Sequence, residues 1–295
     1  MNAEIGENAA IKHLQISKFT RVESFLKDDD LSVEEPLEIR VSYIENDQKL
    51  HKNISVTMRT PGNDAELAAG FLFTEGIIHS AGQIKNIVRP IEGCSKNAEN
   101  VISVSLNVNF QPNFMTTDRN FYTTSSCGVC GKSSIDSIKT QSHFKNNPRQ
   151  NTSIKRDVFF DLPEKLRTFQ QNFSKTGGIH ACGLFDFQGN LLAVREDVGR
   201  HNALDKLIGQ SLMNNVVPLQ EHILLLSGRA SFELIQKAAM AGITVVAAIG
   251  APSSLAVELA AEFDITLIGF LRRDTFNAYH ISGQFTFLDT NENQN

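Results

Sequence analysis

The chain has 295 residues, 41% of them hydrophobic and 21% charged, enough apolar material for a large core and too well patterned for a disordered chain. Lys and Arg number 28 against 33 Asp and Glu, so at a net charge of −5 no global basic field suits nucleic acid and an anionic ligand must be held locally. The opening MNAEIGENAAIKHLQ has neither a basic nor an apolar signal region, and runs such as HILLLSG are too short to span a bilayer, so a soluble, cytoplasmic protein is expected, without membrane or nucleic-acid partners.

Residues 1–20 are expected to be a flexible terminus and 21–140 an N-terminal α+β part. EEPLEIRVSYIENDQKLHKNISVTMRT alternates apolar and polar residues on both sides of ENDQ, which predicts an antiparallel hairpin with Ile39, Val41, Ile54 and Val56 facing the core. PGNDAELAAGFLFTEGII follows as an amphipathic helix, capped by Asn63 or Asp64, carrying Leu67, Phe71 and Leu72 at helical spacing and stopped at Gly76. After a loop around Cys94, VISVSLNV is a further strand leading to the loop YTTSSCGVCGKSS. Residues 141–157 are polar and without a period, which predicts a mobile linker.

Residues 158–285 change character and predict an α/β core, with 286–295 as a flexible tail. Asp161 and Pro163 start a helix that ends at Gly177 and Gly178, and HACGLFDFQGNLLAVRED makes two strands around a turn at Gln188 to Asn190. HILLLSG, ITVVAAIG and ITLIGFLR are continuous apolar runs separated by the helical patterns SFELIQKAAMAG and SSLAVELAAEFD. That alternation is how βαβ units with a buried parallel sheet read.

Such a sheet places every strand-to-helix turn on one edge, where helix N-termini offer free N–H groups and the positive end of the dipole. Here the turns supply Ser227, Gly228, Arg229, Ser231, Ser253 and Ser254, and the third strand runs into Arg272 and Arg273, whose guanidinium forks suit phosphate oxygens. Taken singly, each turn also reads as capping serines and solvated arginines; their convergence on one edge points to a phosphate-bearing ligand. REDVGRHNALDKLIG gathers Arg195, Glu196, Asp197, Arg200, His201 and Asp205 around one glycine, either as a salt-bridged helix start or as a proton relay built on His201 and a neighbouring carboxylate. TGGIHACGLFD puts His180 and Cys182 on one side of a strand, with Cys182 read as a buried thiol. His180 and the CxxC would together give three soft zinc ligands of deaminase type, but the deaminase order H-x-E followed by P-C-x-x-C is absent.

Four cysteines in so long a chain without a secretion signal point to reduced thiols rather than a disulfide scaffold. Cys127 and Cys130 stand among Ser125, Ser126, Gly128, Gly131, Ser133 and Ser134 with no apolar anchor, which predicts accessible thiols. Spacing alone leaves three uses open: a thioredoxin-like redox pair, half of a structural zinc site, or a nucleophile that carries a group between sites. An unperturbed thiol titrates at roughly 8.5, and Lys132 beside the loop either favours the thiolate or is simply solvated.

In chain order, EEPLEIRV, VTMRTPGNDAELAAGFLFTEGII, CGVCGK, TGGIHACGLFD, REDVGRHNALDKLIG, LLLSGRASFELIQKAAMAGI and SSLAVELAAEFDITLIGFLR resemble the FdhD accessory proteins of formate dehydrogenase, over residues 32–275. The resemblance implies a sulfurtransferase that accepts persulfide sulfur from a cysteine desulfurase. It would pass that sulfur to the molybdenum or tungsten bis-guanine-dinucleotide cofactor before insertion into formate dehydrogenase. It also implies Cys127 as the carrier with Cys130 as its neighbour, GDP as a mimic of half the client, and no intrinsic metal. The implied fold is a layered α/β/α core of cytidine-deaminase-like type, and the implied cofactor segment falls on Phe270, Leu271, Arg272, Arg273, Asp274 and Thr275. A homodimer is expected. The alternatives are a zinc-dependent deaminase-like hydrolase, which would hold stoichiometric zinc, and a cofactor-escort chaperone, which would survive loss of its thiols.

Overall fold

The computed structural model describes residues 9–90, 98–114, 142, 144 and 151–289; Cys94, Cys127, Cys130 and Lys132 lie outside them. Two strands precede the expected hairpin. Ile11–Phe19 (β1) and Ser24–Ser32 (β2) pair antiparallel as a ribbon, where a flexible terminus was expected up to residue 20. The ribbon carries no sustained period-two signal because neither strand has a buried face, and polar residues stand opposite its apolar ones, Asp29 opposite Leu14 and Lys27 opposite Ile16.

Glu35–Glu45 (β3) and Gln48–Arg59 (β4) form the hairpin, turning through Asn46 and Asp47 in the left-handed conformation (φ 49° and 59°) that a two-residue hairpin turn requires. Ile39, Val41 and Ile54 are buried as expected, but Val56 is 66% exposed. The reason is a bulge: Ile39 pairs with Ser55 and Arg40 with Asn53, so Ile54 is an extra residue and the facing of every later side chain is reversed. Arg59 consequently points inward, 1% exposed, and donates to Asp64, Glu35 and Asn100. Ile84–Val88 (β5) and Val101–Leu106 (β6) complete a sheet in the order β4-β3-β6-β5.

Asp64–Thr74 (α1) follows a left-handed Asn63, and Gly76 (φ 72°) lets the Ile77 N–H reach the Leu72 carbonyl at 2.9 Å to end the helix. Leu67 and Leu72 are buried, but so are Ala68, Ala69, Gly70, Phe73 and Thr74, so α1 is enclosed on more than the one face an amphipathic helix would bury. It crosses Arg200–Met213 (α4) backbone to backbone. A Cβ on Gly70 would stand 1.9 Å from the Asp205 carbonyl oxygen, and one on Gly209 1.8 Å from that of Glu66.

In the second half, Thr152–Lys155 (β7) and the start of Arg156–Phe169 (α2) occupy the last residues of the linker expected over 141–157, so the helix begins upstream of Asp161 with Pro163 inside it. Gln171–Thr176 (α3) ends at Gly177, and His180–Asp186 (β8) and Leu191–Asp197 (β9) form the expected antiparallel pair. His222–Leu226 (β10), Val245–Ala248 (β11) and Thr266–Gly269 (β12) run parallel, connected by Phe232–Met240 (α5) and Ser254–Glu262 (α6). Asn277–His280 (β13) adds an antiparallel edge, giving the order β13-β12-β11-β10-β8-β9. Phe285–Leu288 (β14), which runs from the end of the expected core into the expected tail, pairs with β7.

One face of this six-stranded sheet, through Leu184, Leu224, Leu226, Val246 and Leu267, joins α4, α5 and α6 in a cluster that continues into α1, β3 and β6. The other face, through Phe185, Ile223, Leu225, Val245 and Ile268, meets Phe159, Leu162 and Leu166 of α2 and Phe285 of β14. Burial on both faces is why β10, β11 and β12 read as unbroken apolar runs. The α/β architecture is therefore as expected, on a mixed sheet. Among the described residues no helix is long and apolar enough to cross a membrane.

Candidate functional site

The turns after β10, β11 and β12 lie side by side, as parallel strands require. Gly250 N–H donates to Gly228 O at 2.9 Å, Ser253 N–H to Ala230 O at 3.0 Å, and Phe270 N–H to Gly250 O at 3.0 Å. The packing is tight enough to demand glycine: a Cβ on Gly250 would meet the Cα of Arg229 at 2.9 Å. The predicted edge thus exists as one backbone-zippered surface.

Its side chains divide into those that hold the edge together and those left facing outward. The Ser227 hydroxyl accepts from Ala181 N–H at 2.9 Å, and Ser253 caps α6 by accepting from Ala256 N–H at 3.2 Å. Both therefore have structural work. Ser231 stands at the N-cap position of α5 without a side-chain cap bond, its Oγ 3.4 Å from His201 Nε2. Arg229 and Ser254 are exposed on the edge, and Gly228 lies against the ring of His180.

The segment from Phe270 to Thr275 is split. Phe270 has φ 50° and is exposed, whereas Leu271 is buried in the core beneath the sheet. Arg272 N–H donates to Thr275 O at 2.8 Å to close a turn that leaves Asp274 and Thr275 exposed. The two arginines do not act as a pair. Arg272 folds back so that its Nη1 donates to Ile249 O at 2.6 Å and Leu271 O at 2.9 Å, which keeps its guanidinium beside the β11 turn. Arg273 leaves the edge for α2, where its Nη2 donates to Glu164 Oε2 at 2.7 Å with the side chain 84% exposed.

The charged cluster around Gly199 is mostly architectural. Buried Asp197 accepts from Lys206 Nζ at 2.7 Å, Gly199 N–H at 2.8 Å, Thr60 N–H at 3.2 Å and Asn202 Nδ2 at 3.2 Å. Glu196 accepts from the first N–H groups of α3, Arg195 pairs with Glu66 on α1, and Asp205 pairs with Lys237 on α5 at 2.9 Å. The carboxylate nearest His201 is instead Glu233, 3.8 Å from its Nε2. Sequence reasoning missed it because it comes from α5. Burial, with Lys237 and Arg200 adding to it, depresses His201 to about 4 against the pull of Glu233. His180 is also lowered, by burial and then by Arg200. Both rings are therefore neutral at pH 7.

Cys182 is buried on the α4 face of β8, and desolvation followed by the charge of Asp205 pushes its thiol far above the ordinary range. That matches the expectation of a buried thiol. Among the described residues, no three His, Cys, Asp or Glu side chains stand close enough to share a metal ion. A cavity of about 370 Å³ lies at the opposite end of the parallel strands, lined by Gln220, Glu221, Thr244, Thr266 and Ser282, and holds none of the predicted site residues.

The FdhD/NarQ family matches residues 32–285, beginning where the β1–β2 ribbon ends. The sulfur carrier protein FdhD of Streptomyces coelicolor is 48% identical over 255 residues, which cover 85% of this chain and 87% of that protein. The protein of the same name from Mycobacterium tuberculosis is 44% identical over 282 residues, covering 94% and 99% of the two chains. That of Picrophilus torridus is 45% identical over 251 residues, covering 85% and 90%. A crystal structure from Desulfotalea psychrophila, described as a formate dehydrogenase accessory protein, aligns with a TM-score of 0.68 at 22% identity, covering 94% of this chain and 99% of that one. The last is a likeness of fold.

Proposed function

The chain belongs to the FdhD/NarQ family, and from that premise we propose that it is a sulfur carrier for formate dehydrogenase maturation. In this reading it is a sulfurtransferase that takes sulfur from a cysteine desulfurase. It delivers the sulfur to the molybdenum or tungsten bis-guanine-dinucleotide cofactor before that cofactor enters formate dehydrogenase. The observation that carries the reading is the set of relatives named as sulfur carriers, which match at 43–48% identity over most of both chains.

Cys127 is the carrier. Its thiolate attacks the outer sulfur of the donor's persulfide, the bond between the donor's two sulfurs breaks, and the donor leaves as a thiolate. Loss of the outer sulfur as a neutral atom to the client returns Cys127 to its thiolate. Cys130, three positions on in the sequence, assists reception or release.

The edge seats the client as substrate. Arg272 uses only Nη1 on backbone carbonyls, so Nη2 and Nε can serve a phosphate, and Arg229, Ser254 and the free N–H groups at the start of α6 supply further donors. GDP is the simplest mimic of half that ligand. An antiparallel hairpin beside three parallel strands, with helices on both faces, supports a cytidine-deaminase-like core. The chemistry needs no metal of the protein's own. A cytoplasmic homodimer with the desulfurase and formate dehydrogenase as partners completes the reading.

The test is Cys127→Ser in cells lacking the native protein. Formate dehydrogenase activity should be abolished while the purified variant keeps its circular dichroism and thermal transition. Full activity would remove Cys127 from the mechanism.

A further inference from the structure

Arg200 opens α4, where a cation meets the positive end of the helix dipole. Among the described residues, the enclosed cations Arg59, Arg195, Lys206 and Lys237 are paired, with Asp64, Glu66, Asp197 and Asp205 respectively. Among the described residues, half-buried Arg200 has neither an ion-pair nor a hydrogen-bond partner, and its Nε is shut away from water. A buried donor left unmet is unfavourable unless a ligand completes it.

The surroundings can donate hydrogen bonds as well. His180, at the start of β8, pairs in register with Asp197 just ahead of α4, and its ring lies 3.4 Å from where a Cβ of Gly228 would sit, so the glycine makes room for it. His201 Nε2 approaches Ser231 Oγ at 3.4 Å, at the uncapped start of α5. Asp197 is already saturated by Lys206 and three further donors, leaving Glu233 as the acid facing this corner. An unpaired guanidinium, two imidazoles and a free helix start therefore converge at the β8 end of the edge.

We propose that Arg200, with His180, His201 and the start of α5, binds a phosphate group there. Arg272 anchors the β12 end, three strand spacings or about 14 Å away, so a long polyphosphorylated ligand is held at both ends. The inference rests on the reading of the edge as a nucleotide seat and assigns its second anchor.

The test follows the rings of His180 and His201 by NMR pH titration of the full chain, with and without inorganic pyrophosphate. Lys237, Arg200, Glu233 and His180 act on His201, and Arg200 and Asp197 on His180. Bound phosphate beside Arg200 should raise both rings towards ordinary histidine values. In Arg200→Gln the rings should already be higher without ligand and should not respond to it, whereas Arg200→Lys should keep part of the response. Thermal unfolding verifies that each variant is folded. Wild-type rings that ignore pyrophosphate, or an undiminished response in Arg200→Gln, would overturn the proposal. GDP calorimetry separates the two readings: GDP binding with silent rings rejects the Arg200 anchor alone, while responding rings without GDP binding keep the anion site and remove the nucleotide seat.

Discussion

Arg272 and Arg273 are neighbours in sequence with different employment. Arg272 is held over the β11 turn by two backbone carbonyls, whereas Arg273 reaches Glu164 on the far side of the sheet. Charge-assisted contacts to phosphate contribute roughly 1.5 to 3 kcal/mol, so Arg272→Ala should weaken GDP binding about tenfold or more, and Arg273→Ala should change it less than about twofold. Calorimetry on the two single variants checks this, and equal losses would mean that both guanidiniums face the ligand. Sequence placed both arginines at the end of the right strand but had no means of separating them. The same limit applies to Ser227 and Ser253, whose hydroxyl oxygens accept from Ala181 and Ala256 N–H within the edge, leaving only the O–H of each to donate outward. Pattern locates a side chain on an element; its partner across the fold is set by tertiary packing.

At the scale of elements, the α1–α4 crossing has the least tolerance for change. With backbone oxygens 1.9 and 1.8 Å from the places where Cβ atoms of Gly70 and Gly209 would stand, no rotamer change can relieve an added methyl group. Gly70→Ala should force the helices apart and lose about 3 kcal/mol or more of stability, the upper end for overpacking. Exposed Gly82, with nothing nearer than 3.8 Å, serves as the control, and Gly82→Ala should stay within about 1 kcal/mol of wild type in urea denaturation. Similar midpoints for the two variants would contradict the crossing. The helix itself was legible from its caps and spacing, but its enclosure was not, because small residues read as weakly apolar from sequence and become close-contact surfaces only against a partner. The bulge at Ile54 was likewise invisible: periodicity assumes a constant step, and one extra residue sent Val56 outward and Arg59 inward. The buried parallel strands were the most legible elements, since burial on both faces leaves an unbroken apolar run.

Across the whole molecule, one hydrophobic cluster runs from β3 and β6 through α1, α4, α5 and α6 to the six-stranded sheet, so the edge is built on a shared core rather than on a separate lobe. Ion pairs reinforce the same junction, Glu66 of α1 with Arg195 of β9 and Glu75 beside Lys237 of α5. The proposed delivery of sulfur needs a thiol other than Cys182, which is 2% exposed and held protonated by burial. That places the central claim on Cys127, outside the described residues, and makes direct chemical detection the sharpest measurement. The purified chain is incubated with a cysteine desulfurase and cysteine, digested, and its cysteine peptides are weighed by mass spectrometry with and without reductant. The Cys127 peptide should gain one sulfur atom, removed by reductant and absent from Cys127→Ser, with Cys182 unmodified. A chain that gains no sulfur, or gains it on Cys182 or Cys94 while Cys127 stays bare, would contradict it.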